Sequence, residues 1–231
     1  MVVSSALPNR FGTSHRISKK TEAATELLVG CFLLGAAALA GLFFVRRPWP
    51  NRLDAIGFRI LPADPTSPLA ADVARLGSLT VLVAGVAALC VVAAVSRNWL
   101  RALSCLVAPI AAVLIVETVA KPLVGRHIGG AFSYPSGTVT AVAALAAAAF
   151  LVTPGLAKAF TAVAGGVVVA AVCAAVVVLG WHFPTDALGG VCVGAGAVFV
   201  VDGFLLSIRN HLHRARTPVP FGAARTAGIT N

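Results

Sequence analysis

Charged side chains are scarce in this chain: Asp, Glu, Lys and Arg make up 11% of its 231 residues, against 58% hydrophobic, and the mean hydropathy is +0.93. That shortage excludes a soluble globular domain and implies a polytopic membrane domain with short tails. Acidic residues are fewer still, 8 against 18 basic, for a net charge of +10. A basic balance can signal nucleic acid, but here the basic residues gather in tails and in short loops between apolar runs. They read as topology signals and contacts to anionic lipid, and nucleic acid is excluded as a partner. Metal-binding spacing is lacking too. Cys31, Cys90, Cys105, Cys173 and Cys192 all fall inside apolar runs, with no Cys-x2-Cys pair or zinc-type His spacing, and read as small core residues. The polar stretch Met1 to Thr25, carrying Arg10, Arg16, Lys19 and Lys20, lacks a cleavable h-region, so the first apolar run reads as an anchor. No internal repeat or central charge pathway argues for a transporter.

What is present is a series of membrane-length apolar stretches. A hydrocarbon core of about 30 Å needs roughly 20 helical residues, and six stretches meet that need within the tolerance of tilt. They run from about Glu26 to Val45, Leu76 to Val95, Ala102 to Ala120, Gly137 to Thr153, Phe160 to Gly180, and Ala187 to Ser207. The expected fold is all-α, a bundle of six transmembrane helices over residues 26–207, between basic cytoplasmic tails at 1–25 and 208–231. An even number of spans puts both termini on one side. The positive-inside count favours the cytoplasm, with eleven Lys or Arg inside against seven outside. The expected location is the cell's inner membrane.

The loop from Arg46 to Arg75 is rich in Pro and charge. Its Trp49, Ile56, Phe58 and Leu61 suit a short amphipathic element in the interface, able to cover a site; a solvated connector is the alternative reading. Glycines in the fifth and sixth stretches, among them Gly165, Gly166, Gly189, Gly190, Gly194 and Gly196, suit close helix approach.

Three polar segments fall on the outer side under this topology. They are Lys121 to His127, Tyr134 to Thr138, and Trp181 to Asp186. Each lies at a helix end, where backbone donors are free and an N-terminus favours anions. Together they offer Lys121, Arg126, the Ser136 hydroxyl, the Gly137 and Thr138 amides and His182, the components of a phosphate site. Glu117, one turn before Lys121, reads as its positioning partner at i, i+4.

The order and types of these segments resemble the type 2 phosphatidic acid phosphatase family, over roughly Ala102 to Ser207. Lys121 matches the family's lysine, Pro135, Ser136 and Gly137 its Pro-Ser-Gly, and His182 and Asp186 its nucleophilic His and orienting Asp. Three positions depart. Ile128 and Gly129 stand where an Arg-Pro pair is expected, Thr138 replaces the His that protonates the leaving group, and Ala175 and Val176 replace a Ser-Arg pair. Arg126, two residues before the expected arginine, is a partial substitute, and His127 is the nearest substitute proton donor.

The resemblance implies hydrolysis of a lipid-linked phosphate or diphosphate. His182 attacks phosphorus to give a phosphohistidine, Asp186 fixes the imidazole tautomer, and Lys121, Arg126, Ser136, Gly137 and Thr138 bind the phosphate oxygens. No metal or other cofactor is required. The implied partners are a lipid phosphate substrate and membrane lipids. A missing general acid removes about 10² to 10⁴ in rate, least for a diphosphate, whose leaving group is a weaker base. The departures also motivate an alternative, a catalytically impaired relative that binds lipid phosphates or scaffolds envelope-lipid metabolism.

Overall fold

The computed structural model describes residues 10–47 and 49–215; the remainder of the two expected tails, including Arg216 and Arg225, lies outside the described residues. The helices are α1 (Arg10–Phe44), α2 (Arg52–Ile60), α3 (Pro68–Ala74), α4 (Leu79–Val95), α5 (Trp99–Ile115), α6 (Lys121–Val124), α7 (Gly137–Val152), α8 (Ala157–Val178) and α9 (Pro184–Ala215). A two-stranded hairpin joins β1 (His127–Ile128) to β2 (Ala131–Phe132). The chain is therefore an all-α membrane bundle.

Among the described residues, four segments are long and apolar enough to cross a bilayer, namely Thr21–Phe44, Trp99–Val124, Ala157–Val178 and Pro184–Leu212. A fifth follows if Pro68–Gly77 and Leu79–Val95, bent by 46°, are one span. At 16 residues α7 is apolar but short, about 24 Å at 1.5 Å per residue. It is also the most enclosed helix, with ten buried residues from Gly137 to Leu151, packed against α4, α5, α8 and α9. A helix walled by neighbours need not match the lipid thickness itself. The first helix extends into the expected tail, and its stretch Thr21–Phe44 is apolar enough to cross a bilayer.

The centre of the bundle is α9, which packs on α1, α5 and α7. Small residues make this approach possible: a Cβ on Gly190 would lie 2.6 Å from the Ser136 carbonyl oxygen, and one on Gly194 would run into that of Thr140. At the end of the bundle opposite His182, Arg101 of α5 ties three elements together. Its guanidinium donates to Glu22 Oε1 and the Leu151 carbonyl, both at 2.6 Å, and lies 3.6 Å from Asp202.

Candidate active site

The site begins where α5 loosens. Pro122 has no amide hydrogen to continue the ladder, and the turn before it, Val116–Ala120, widens to a π-helix in which the Lys121 amide reaches back to the Val116 carbonyl. Glu117 and Lys121 thereby come to one face. Lys121 Nζ lies 2.7 and 2.8 Å from the two Glu117 oxygens, and its side chain is 14% exposed. The expected pair is present. It sits on the first turn of α7, where a Cβ on Gly137 would run into Glu117 Oε1 and lie 3.7 Å from Lys121 Nζ.

Ser136 begins α7 as its N-cap, its hydroxyl accepting from the Val139 amide at 3.4 Å. It is fully buried, and its own amide donates to the Asp186 carbonyl at 3.0 Å, which joins the Pro-Ser-Gly turn to α9. Thr138 is half-buried against Gly77, in the short helical turn that follows α3.

His182 lies in the turn between α8 and α9, 7% exposed. Its Nδ1 is 2.8 Å from the Ser133 carbonyl oxygen. A carbonyl only accepts, so Nδ1 carries the hydrogen, and in the neutral ring Nε2 keeps a free lone pair. Burial pushes the ring's pKa down from 6.5 to about 4; the Ser133 bond opposes that fall and the nearby Lys121 charge adds to it. The imidazole is neutral at physiological pH, with one nitrogen held and the other available as a nucleophile.

The expected hydrogen bond from His182 to Asp186 is replaced by another arrangement. Asp186 Oδ1 accepts from Arg126 Nη1 at 2.5 Å and Oδ2 from the Phe183 amide at 2.9 Å. A carboxylate in the first turn of a helix closes readily on an amide three residues back, and a buried guanidinium is a stronger partner than an imidazole. The tautomer of His182 is fixed by Ser133 instead.

Arg126 also departs from its expected place among the phosphate ligands. It is fully buried, bridging Asp186 and Asp54 (2.6 Å) and donating to Thr185 Oγ1 (2.8 Å), with Phe44 and Phe183 each 4.1 Å from its guanidinium carbon. Both faces and both terminal nitrogens are occupied. Its partners lie 59 to 72 residues away along the chain, so nothing in its own segment signals the burial. Asp54, brought in by α2, is the site residue that sequence reasoning missed; the capping pattern Asn51-x2-Asp54 before an apolar stretch was the available signal.

The other departures have local causes. Ile128 ends β1 and Gly129 opens the corner of the β1–β2 hairpin, where Gly129 and Gly130 have φ of 56° and 84°. Proline, locked near −65°, cannot stand there. Val176 is fully buried in an apolar cluster with Val139, Val172 and Leu179, onto which Ala70 and Ala74 of α3 close. Packing occupies the place where the resemblance expects a cation. His127 is half-buried, with Nδ1 2.9 Å from the Gly125 carbonyl oxygen and its ring 4.5 Å from that of Phe132. No His, Cys, Asp and Glu cluster among the described residues has metal-binding geometry.

The model of the PAP2 superfamily matches residues 116–205, which span Glu117, Lys121, the Pro-Ser-Gly turn and His182-x3-Asp186. Over residues 116–205 the chain is similar to the PAP2 superfamily. The fold is similar to that in a crystal structure from Bacillus subtilis, described as a transmembrane PAP2 type phosphatidylglycerolphosphate phosphatase. The two share 22% identity and a TM-score of 0.61 over 75% of this chain and 96% of the other, a likeness that establishes a common fold. No curated protein sequence matches the chain.

Proposed function

We propose that this PAP2 protein is a membrane phosphatase that hydrolyses a lipid-linked phosphate or diphosphate through His182. The observation that carries the reading is the buried, neutral imidazole with Nδ1 held by Ser133 and Nε2 free, beside Lys121. Nε2 attacks phosphorus in line, the P–O bond to the lipid breaks with its electron pair leaving on oxygen, and a phosphohistidine forms. Water then displaces phosphate, and the P–N electron pair returns to Nε2. Lys121 and the free amides of the first turn of α7, at Gly137 and Thr138, stabilise the equatorial oxygens, Lys121 exchanging its carboxylate partner for phosphate. Ser136 contributes by capping and aiming that turn. Arg126 supports the site from within rather than clamping substrate, and Asp186 holds the turn that presents His182.

The topology that suits this chemistry has six spans, α3–α4 counting as one and α7 as another, with both termini cytoplasmic and the site at the outer interface. The lysine and arginine distribution supports it. The lipid chain would lie among the spans while its phosphate meets His182.

Phosphate release by purified protein from polyprenyl diphosphate, polyprenyl monophosphate, phosphatidate and phosphatidylglycerol phosphate tests the reading. His182→Ala is expected to abolish release, and equal rates for variant and wild type would overturn it. The buried Arg126 and the apolar setting of Val176 favour a second reading, a relative that binds lipid phosphate without turnover. Retained lipid binding with no phosphohistidine on rapid quench would select that alternative.

A further inference from the structure

Asp54 lies outside every motif that marks the site, yet its carboxylate is fully buried and saturated with donors. Oδ2 accepts from Arg126 Nη2 at 2.6 Å and the Asn51 amide at 3.1 Å, and Oδ1 from the Thr185 amide at 3.0 Å and hydroxyl at 2.8 Å. A buried carboxylate is costly unless each oxygen is paired, and here pairing across 131 residues fixes α2 against the start of α9. The seat is tight. Gly57 lies against Pro184, where a Cβ would collide with the proline ring, and Phe58 stacks edge-on with Phe183, ring centres 6.0 Å apart.

From Asp54 a continuous chain of bonds leads to the nucleophile's own turn. Arg126 bridges Asp54 and Asp186, and Asp186 in turn holds the amide of Phe183, the residue after His182. The opposite face of α2 presents Leu53, Ile56 and Ile60, each more than half exposed. Such an exposed apolar face suits the membrane interface.

We propose that Asp54 is a positioning residue which, through Arg126, couples the seating of the loop helix α2 to the turn that presents His182. The coupling needs both carboxylates on one guanidinium, because removing either leaves Arg126 able to rotate away from the other. Its kinetic consequence rests on the phosphatase reading; its structural consequence, the sheltering of His182, does not.

The test uses the full chain in detergent, with Asp54→Asn, Arg126→Gln, the double variant and the milder Thr185→Val, each assayed well below its own melting temperature. Two quantities are read: kcat and KM for phosphate release from a polyprenyl diphosphate, and the rate of His182 carbethoxylation by diethyl pyrocarbonate, followed by peptide mass spectrometry. Asp54→Asn is expected to lower kcat at least ~10-fold with KM changed less than ~3-fold, the mark of lost positioning rather than lost binding. His182 labelling should rise about 10-fold, and the double variant should match Arg126→Gln alone, since residues acting through one partner are not additive. Thr185→Val should shift labelling in the same direction by roughly 3-fold, and it carries the test if Asp54→Asn does not fold. A purely structural Asp54 would lower the melting temperature and leave labelling and kcat of the folded protein unchanged. That result, or additive effects in the double variant, overturns the proposal. Should wild type release no phosphate, the phosphatase reading falls and the labelling arm still decides on Asp54.

Discussion

His182 Nδ1 lies 2.8 Å from the carbonyl oxygen of Ser133, the residue that opens the Ser-Tyr-Pro-Ser-Gly turn. One backbone oxygen thus does what the motif assigns to a carboxylate, and does it without adding negative charge beside the imidazole. A carboxylate partner would raise the ring's basicity; a carbonyl in a buried turn leaves burial in control, and the ring stays neutral.

The pH dependence follows with a definite sign. The folded-state pKa of about 4 lies below the ordinary 6.5, so between these values the unfolded chain binds the extra proton. The stability contributed by neutral His182 is complete above 6.5 and is lost as pH falls toward 4. The displacement corresponds to on the order of 3 kcal/mol. Thermal unfolding in detergent from pH 7.5 to 4 should show wild type losing stability relative to His182→Gln over that window. The acid limb of kcat/KM should fall below pH 5. A limb centred near 6.5 would contradict the buried neutral ring.

Glu117 holds Lys121 and sits on the first turn of α7, in the space proposed for phosphate. An incoming anion must displace it. Glu117→Gln keeps the shape and removes the charge, and should tighten inhibition by inorganic phosphate about 5- to 10-fold, on the order of 1 kcal/mol for a partly exposed charge pair. The check is the inhibition constant at fixed pH and salt. Weaker inhibition in the variant would mean that Glu117 orients Lys121 for phosphate instead of competing with it.

Introducing the arginine that the PAP2 resemblance expects should fail. Val176→Arg would place an unpaired guanidinium in a fully buried apolar cluster sealed by α3, with a penalty of several kcal/mol. The expected outcome is a large drop in melting temperature and no gain in phosphate release. A stable, more active variant would show that α3 yields to admit the side chain.

Lys121 and Glu117 were legible because both lie on one helix, four residues apart, where spacing alone sets proximity. Arg126 was legible as a cation near the right segment but not as a buried one. Its sequestering partners, Asp54, Thr185 and Asp186, come from α2 and α9, and no local pattern encodes a contact across 59 or more residues. Trp49, Ile56, Phe58 and Leu61 leave an amphipathic element and a solvated connector both open; the structure forms a helix over Arg52–Ile60, and the inward role of Asp54 is not legible, since polarity in a loop ordinarily signals solvent.

The sequence by itself determined the membrane-bundle class, the positions of the apolar stretches and the residue types at the site. Those depend on composition, periodicity and spacing, which are properties of the chain. Only the tertiary structure decided which nitrogen of His182 is free, which carboxylate holds Arg126, and that packing fills the place of the missing arginine. Those outcomes depend on which groups from distant segments meet in a buried space, where each charge takes the strongest partner available and each tautomer follows from it.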